Sequence, residues 1–306
     1  MTARPKVALI GAGLIGRSWA LVFARAGHPV ALYDTDAAGL DRAASWLKAA
    51  GVEVDATSDL AAALSGAMHV QENGPERLDI KHAIYAAVAP HLHADAVVAS
   101  STSALTPDAL FEACDFRARA LVVHPTNPPH VLPAVELAAS SWTAPEVLTR
   151  TSVLMQAAGQ DPLVLKRVLP GFVVNRLQAA LVNEAMALVE QGVADPEDID
   201  IAVRSALGLR WAFIGPFETM DLNAAGGFEH YAQIFGEMFA NLRRDMADRV
   251  SDPWAGTAPG QVTASRRATL PIEAHAARQD WRDAQVLRLR NLKNTPLHPS
   301  PEGSSK

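Results

Sequence analysis

His124 stands at the end of a short apolar run, and Glu136 follows it within the stretch His-Pro-Thr-Asn-Pro-Pro-His-Val-Leu-Pro-Ala-Val-Glu. An imidazole has an ordinary pKa of roughly 6.5, so it exchanges a proton near neutral pH. A carboxylate on its far nitrogen would fix the tautomer, and the two together can act as an oriented general base. A second group lies at the start of the chain, in Gly11-Ala-Gly-Leu-Ile-Gly16. There Gly11 allows a tight turn, Gly13 lets a pyrophosphate approach the backbone, and Gly16 lets a helix pack closely on a strand. Leu14, Ile15 and Gly16 open that helix and offer free amides to the phosphates. A third polar group is Ser100-Ser-Thr-Ser103, which follows a short β run.

These residues need elements to hold them. Lys6 to Ile10 reads as a strand, the helix after Gly16 carries Trp19, Ala20, Phe23 and Ala24 on its buried stripe, and Gly27 closes it. Pro29 to Tyr33 reads as a second strand ending at Asp34, whose carboxylate would accept from ribose hydroxyls and repel a 2′-phosphate. NAD is thus favoured over NADP, with Arg17 and Arg42 the residues that argue the other way. Further helices are expected over 37–50 and 77–88, and further strands over 52–54, 67–71, 96–99 and 118–123, the last delivering His124. Polar residues therefore gather at strand C-terminal ends, where open parallel sheets bind ligands.

From Gly171 the pattern becomes helical, with stretches from Phe172 to Gly192, from Pro196 towards Gly208, from Gly215, and over 228–249 and 272–292. The fold class is α/β: a Rossmann-type doubly wound sheet over 1–170, an all-α domain over 171–294, and a disordered tail over 295–306. With 306 residues and 49% hydrophobic content, the chain can bury two cores. A net charge of −6 disfavours nucleic acid or an anionic membrane, and the single cysteine, Cys114, excludes an internal disulfide and suits a reducing cytoplasm. No apolar run reaches the roughly 20 residues of a membrane span, and the N-terminus shows no cleavable apolar segment. No metal is expected, because no Cys/His/Asp cluster has ligand spacing. His28, His69, His82, His91 and His93 read as surface residues, and His130 is given no role.

Taken together, the glycine motif, Asp34, Ser-Ser-Thr-Ser, His124-Pro with Asn127-Pro, Glu136, Gly171-Phe-Val-Val-Asn-Arg176 and Gly215-Pro-Phe-Glu218 resemble the 3-hydroxyacyl-CoA dehydrogenase family in order and spacing. Leu207-Gly-Leu-Arg-Trp-Ala-Phe-Ile-Gly-Pro, Glu218-Thr-Met-Asp-Leu-Asn223 and Ala277-Arg-Gln-Asp-Trp-Arg-Asp283 give the likeness to its λ-crystallin / L-gulonate 3-dehydrogenase branch. The resemblance implies NAD-dependent oxidation of an L-3-hydroxyl, with His124 as base, Glu136 as its partner, and Ser103 and Asn175 holding the reacting oxygen. It also implies that Glu76 and Lys81 contact the cofactor or organise the edge of the site, and that the protein is a homodimer through its helical half. Ser101 could take the role given to Ser103, Ser103 could cap a helix near Pro107, and Asn175 could be a first-turn polar residue.

Arg210 could hold a substrate carboxylate in a forked contact or pair structurally with Glu218 or Asp221. The carboxylate role favours a free hydroxy acid such as L-gulonate. A short-chain 3-hydroxyacyl-CoA or L-carnitine is the alternative substrate, the latter with Trp211, Phe213 and Phe217 facing its ammonium. A reading from another class is a non-catalytic, crystallin-like NAD-binding protein.

Overall fold

The computed structural model describes residues 4–248 and 252–293. The expected tail over 295–306 and the last residue of the 228–249 helix lie outside the described residues. The chain divides into two compact units, Met1–Arg176 and Leu177–Lys306.

The first unit begins with β1 (Lys6–Ile10), α1 (Leu14–Arg25), β2 (Val30–Tyr33), α2 (Ala37–Ala49), β3 (Asp55–Thr57), α3 (Leu60–Leu64) and β4 (Ala67–Glu72). It continues with α4 (Leu78–Val88), β5 (Val97–Ser100), α5 (Pro107–Phe111), β6 (Ala120–Pro125), β7 (Ala134–Ala139), α6 (Pro145–Ala157) and β8 (Asp161–Val164). The eight strands form one sheet in the order β3-β2-β1-β4-β5-β6-β7-β8. Every neighbouring pair is parallel except β6 and β7, which run antiparallel. Alternate side chains of β1 feed the two faces: Val7 and Leu9 pack with α1 and α2, while Ala8 and Ile10 pack beneath α3 and α4. Burial on both faces explains why the central strands read as continuous apolar runs. Gly27, at φ +80°, ends α1 as expected, with the His28 amide donating back to the Phe23 carbonyl.

Three details differ from the sequence reading. The strand expected at 52–54 forms at Asp55–Thr57, as an edge strand of only three residues. His28 and His69 are buried, at 7% and 2% exposure, rather than on the surface. Their rings pack on Phe23, at 5.8 and 5.9 Å. The segment from Ala134 to Val164 supplies two strands and a helix that the hydropathy pattern did not announce.

The second unit continues α7 (Val174–Glu190) and adds α8 (Pro196–Ala202), α9 (Gly208–Trp211), α10 (Pro216–Leu222), α11 (Gly227–Ala247), α12 (Ala258–Thr269) and α13 (His275–Lys293). Its core is small: Met186 and Val189 of α7 pack with Ala258 of α12. Glu190 accepts from the Ala258 amide at 2.6 Å and so caps α12 from α7. Among the described residues, no helix is long and apolar enough to cross a membrane.

Candidate active site

The antiparallel step in the sheet creates the site. Because β6 and β7 form a hairpin-like pair, His124 and Glu136 stand directly opposite one another in register. Their side chains meet, with 2.7 Å between Nδ1 and Oε2. Both are buried, at 7% and 1% exposure. The second oxygen, Oε1, accepts from the backbone amides of Val173 and Val174 at 2.7 and 3.0 Å. Those amides point inward because Gly171 and Phe172 both adopt the left-handed conformation, at φ +76° and +50°. A phenylalanine there is strained, and its ring, 2% exposed, packs 5.4 Å from the His124 ring.

Burial alone would push the Glu136 carboxyl up. The His124 bond and the two amides outweigh it, and the net pKa is lowered. A carboxylate only accepts, so Nδ1 carries the proton and Nε2 keeps its lone pair free for chemistry.

Ser103 and Asn175 are brought together: the Asn175 amide donates to the Ser103 carbonyl at 3.0 Å. Glu76 holds the same turn. Its Oε1 accepts from the Thr102 hydroxyl at 2.6 Å, the amides of Ser103 and Ala104 at 2.9 and 3.1 Å, and the Ser103 hydroxyl at 3.3 Å. Burial raises the Glu76 pKa, but these donors and the Lys81 charge bring it below its ordinary value. Ser103 is exposed, whereas the Ser101 hydroxyl is fully engaged by Trp19, Gln71 and Asn73. The helix beginning at Pro107 is capped by Thr106, not Ser103.

Of the two roles that the resemblance allows Lys81, its contacts fit the organising one. Its side chain is 1% exposed, and its ammonium donates to both oxygens of Glu72 at 2.8 and 2.9 Å and to the Gly74 carbonyl at 3.3 Å. Three donors with three protein acceptors leave none for a cofactor, so Lys81 organises the edge from inside. Glu72, which also accepts from Tyr85 and Ser100, escaped the sequence reading. So did the Val173 and Val174 amides; the signal was Gly171 beside a bulky aromatic.

The glycine turn fits a dinucleotide. A Cβ at Gly11, φ +99°, would lie 2.9 Å from the Asn73 carbonyl, and one at Gly16 would sit 1.8 Å from the Gly11 carbonyl. Above Gly13 there is open space. No side chain caps α1, so the amides of Leu14, Ile15 and Gly16 stay free for phosphate oxygens. A cavity of about 450 Å³ beside the turn is lined by Ile10, Tyr33, Asp34, Leu60, Pro75 and Ile84, apolar walls with one carboxylate, as an adenosine requires. Asp34 accepts from the amides of Ala12 and Asp36 at 2.7 and 2.9 Å. Arg42 is drawn to Asp36 at 3.5 Å and Arg17 lies over the Trp46 ring at 4.9 Å, so each has a partner within the protein.

Arg210 belongs to the second unit, on α9, where it is exposed. Among the described residues it has no ion pair with Glu218 or Asp221, and Asp221 instead accepts from the Phe228 amide at 2.7 Å. No group of three His, Cys, Asp or Glu residues among the described ones could hold a metal ion.

The chain matches two family models: the NAD binding domain of 3-hydroxyacyl-CoA dehydrogenase over residues 6–168 and its C-terminal domain over 171–261. It is 38% identical to a lambda-crystallin homologue of Bos taurus, over 94% of this chain and 95% of that one. It is 35% identical to an L-carnitine dehydrogenase of Pseudomonas putida, over 75% and 76% of the two chains. Among solved structures, 5-formyl-3-hydroxy-2-methylpyridine 4-carboxylic acid 5-dehydrogenase, described as an NAD+-dependent dismutase, superposes with a TM-score of 0.82. That match has 31% identity and covers 95% of this chain and 98% of the other.

Proposed function

The chain belongs to the 3-hydroxyacyl-CoA dehydrogenase family, and on that premise we propose that it oxidises the 3-hydroxyl of a small L-3-hydroxy acid, with L-gulonate, giving 3-dehydro-L-gulonate, as the preferred substrate. It is an NAD-dependent oxidoreductase acting on CH–OH. When bound, NAD supplies the hydride acceptor.

His124 Nε2 takes the hydroxyl proton, and Glu136 stabilises the imidazolium that forms. The 2.7 Å bond between them is the observation that carries this assignment. The Ser103 hydroxyl, turned from its long 3.3 Å bond to Glu76, and the Asn175 amide donate to the reacting oxygen without titrating themselves. Glu76 holds the turn that presents Ser103.

For the substrate's far end we assign Arg210, whose exposed guanidinium suits a carboxylate. Support comes from two of the similar proteins, whose named substrates, carnitine and a pyridine carboxylic acid, carry that group. The helical stretch 171–294 supplies substrate contacts and a homodimer surface, and a reducing cytoplasm suits its one cysteine.

The test is NADH formation with L-gulonate, L-carnitine and L-3-hydroxybutyrate, and NADH consumption with acetoacetyl-CoA. Preference for L-gulonate, lost in Arg210→Met, supports the carboxylate reading; preference for acetoacetyl-CoA overturns it. His124→Gln should lower turnover by about 10³-fold or more with NADH affinity retained. If that variant stays active, the base assignment is wrong.

A further inference from the structure

His130 lies in the loop between β6 and β7, six residues beyond the proposed base. Its Nδ1 is 3.1 Å from the hydroxyl of Ser18, a residue of α1 with no solvent exposure. Its ring makes a T-shaped contact with Trp46 on α2, with centroids 5.4 Å apart, and Arg17 of α1 lies over the same indole at 4.9 Å. The same helix makes a second tie one residue later: Trp19, also fully buried, donates from Nε1 to Ser101 at 3.2 Å. Ser101 opens the turn that carries Ser103. The helix that opens at the glycine turn is therefore fastened both to the loop joining the strands of His124 and Glu136 and to the turn that carries Ser103.

We propose that His130 and Ser18 are positioning residues for the reaction, fixing the His124 hairpin against the cofactor-bearing helix. The hydride leaves the substrate carbon while the proton leaves the oxygen bonded to it, so the base and the cofactor must be held at a set separation. In the sheet they are far apart, since β1 and β6 are separated by β4 and β5. A direct side-chain tie from α1 to the 126–133 loop removes that freedom. Small misplacements of reacting groups reduce turnover steeply while leaving binding energy elsewhere intact.

This inference rests on the assignment of His124 as base. Three variants test it: Ser18→Ala, His130→Phe, which keeps a ring and deletes the bonding nitrogen, and His130→Asn, whose amide can stand in for Nδ1. With L-gulonate or acetoacetyl-CoA, whichever the parent turns over, Ser18→Ala and His130→Phe should each lower kcat about tenfold. NADH affinity, read by fluorescence, and Tm should stay close to those of the parent. The double variant should be no slower than either single one, because one contact is lost only once. His130→Asn should recover most of the loss.

Independently of activity, amide exchange over residues 126–134 should quicken in His130→Phe and not in His130→Asn. Unchanged kcat in His130→Phe, losses that multiply in the double variant, or a kcat loss matched by loss of NADH affinity would each overturn the proposal. His124→Gln, assayed alongside, reports separately: if it remains active the base assignment fails, while the exchange data still decide whether the tie exists.

Discussion

Glu136 shows how a buried charge can be kept. Removing a carboxylate from water costs several kcal/mol, offset only when its lone pairs are filled by well-placed donors. Here one imidazole and two backbone amides do so. Glu136 and Glu76 both have lowered pKa values, so the stability they contribute is present above the ordinary carboxylate range and is lost as pH falls through their folded values.

His69 works in the opposite direction and over a separate pH window. Burial pushes its pKa down to about 4, despite a hydrogen bond to Gln71. The unfolded chain, near 6.5, then binds the proton more readily, and stability should decline as pH falls from about 6.5 towards 4. Between pH 6.5 and 5, while carboxylates remain charged, the loss should be about 1.5 kcal/mol. Urea unfolding at those two pH values, in the parent and in His69→Leu, checks it: the variant should show a clearly smaller drop.

At the scale of elements, the hairpin and the left-handed turn do the positioning. Gly171 at φ +76° cannot accept a side chain without strain, so Gly171→Ala should cost about 1 kcal/mol of stability. It should also lower kcat more than it weakens NADH binding, because the amides of Val173 and Val174 would swing away from Glu136. Thermal unfolding and a kcat measurement on the same preparation give both numbers; a stability loss with unchanged kcat would mean the amide clamp is not needed.

The strand–glycine–helix unit was legible in the sequence because its turn is local: Gly11 takes φ +99° and Gly16 packs against the Gly11 carbonyl, whereas the approach of Asn73 to Gly11 comes from a distant strand end. The pairing of His124 with Glu136 was legible as spacing, but its cause was not. Ala-Val-Glu-Leu-Ala-Ala over 134–139 has no punctuation to mark a strand, and its antiparallel direction depends on where β6 ends. His28 and His69 read as surface residues because burial is decided by the α1 aromatics that cover them. The partner of Lys81 was hidden for a related reason: its acceptor, Glu72, lies nine residues back and only the helix α4 brings them together. Arg210 stands as an exposed side chain whose role rests on chemistry alone.

Viewed as a whole, the molecule distributes apolar surface unevenly. The first unit holds three apolar clusters between sheet and helices. In the second, α11 leaves Ile234, Met238, Leu242 and Met246 exposed at every fourth position, a stripe along one helix. Such a stripe is costly to leave in water and suits association with a second copy, consistent with the proposed homodimer. Light scattering coupled to gel filtration should give twice the chain mass. Met238→Glu with Leu242→Glu should shift that value towards a single chain, and an unshifted mass would remove α11 from the interface.

Asp34 carries one last consequence, for anyone redesigning the cofactor preference. Its carboxylate is a fastener as well as the proposed recognition group, since it receives the amide of Ala12 inside the glycine turn and that of Asp36 just before α2. Exchanging it for a small apolar residue to admit a phosphorylated dinucleotide would also unpick the turn on which any dinucleotide sits. A route to altered preference would start from Asp34→Asn or Asp34→Ser, which keep an acceptor in place, and add positive charge from a neighbouring position.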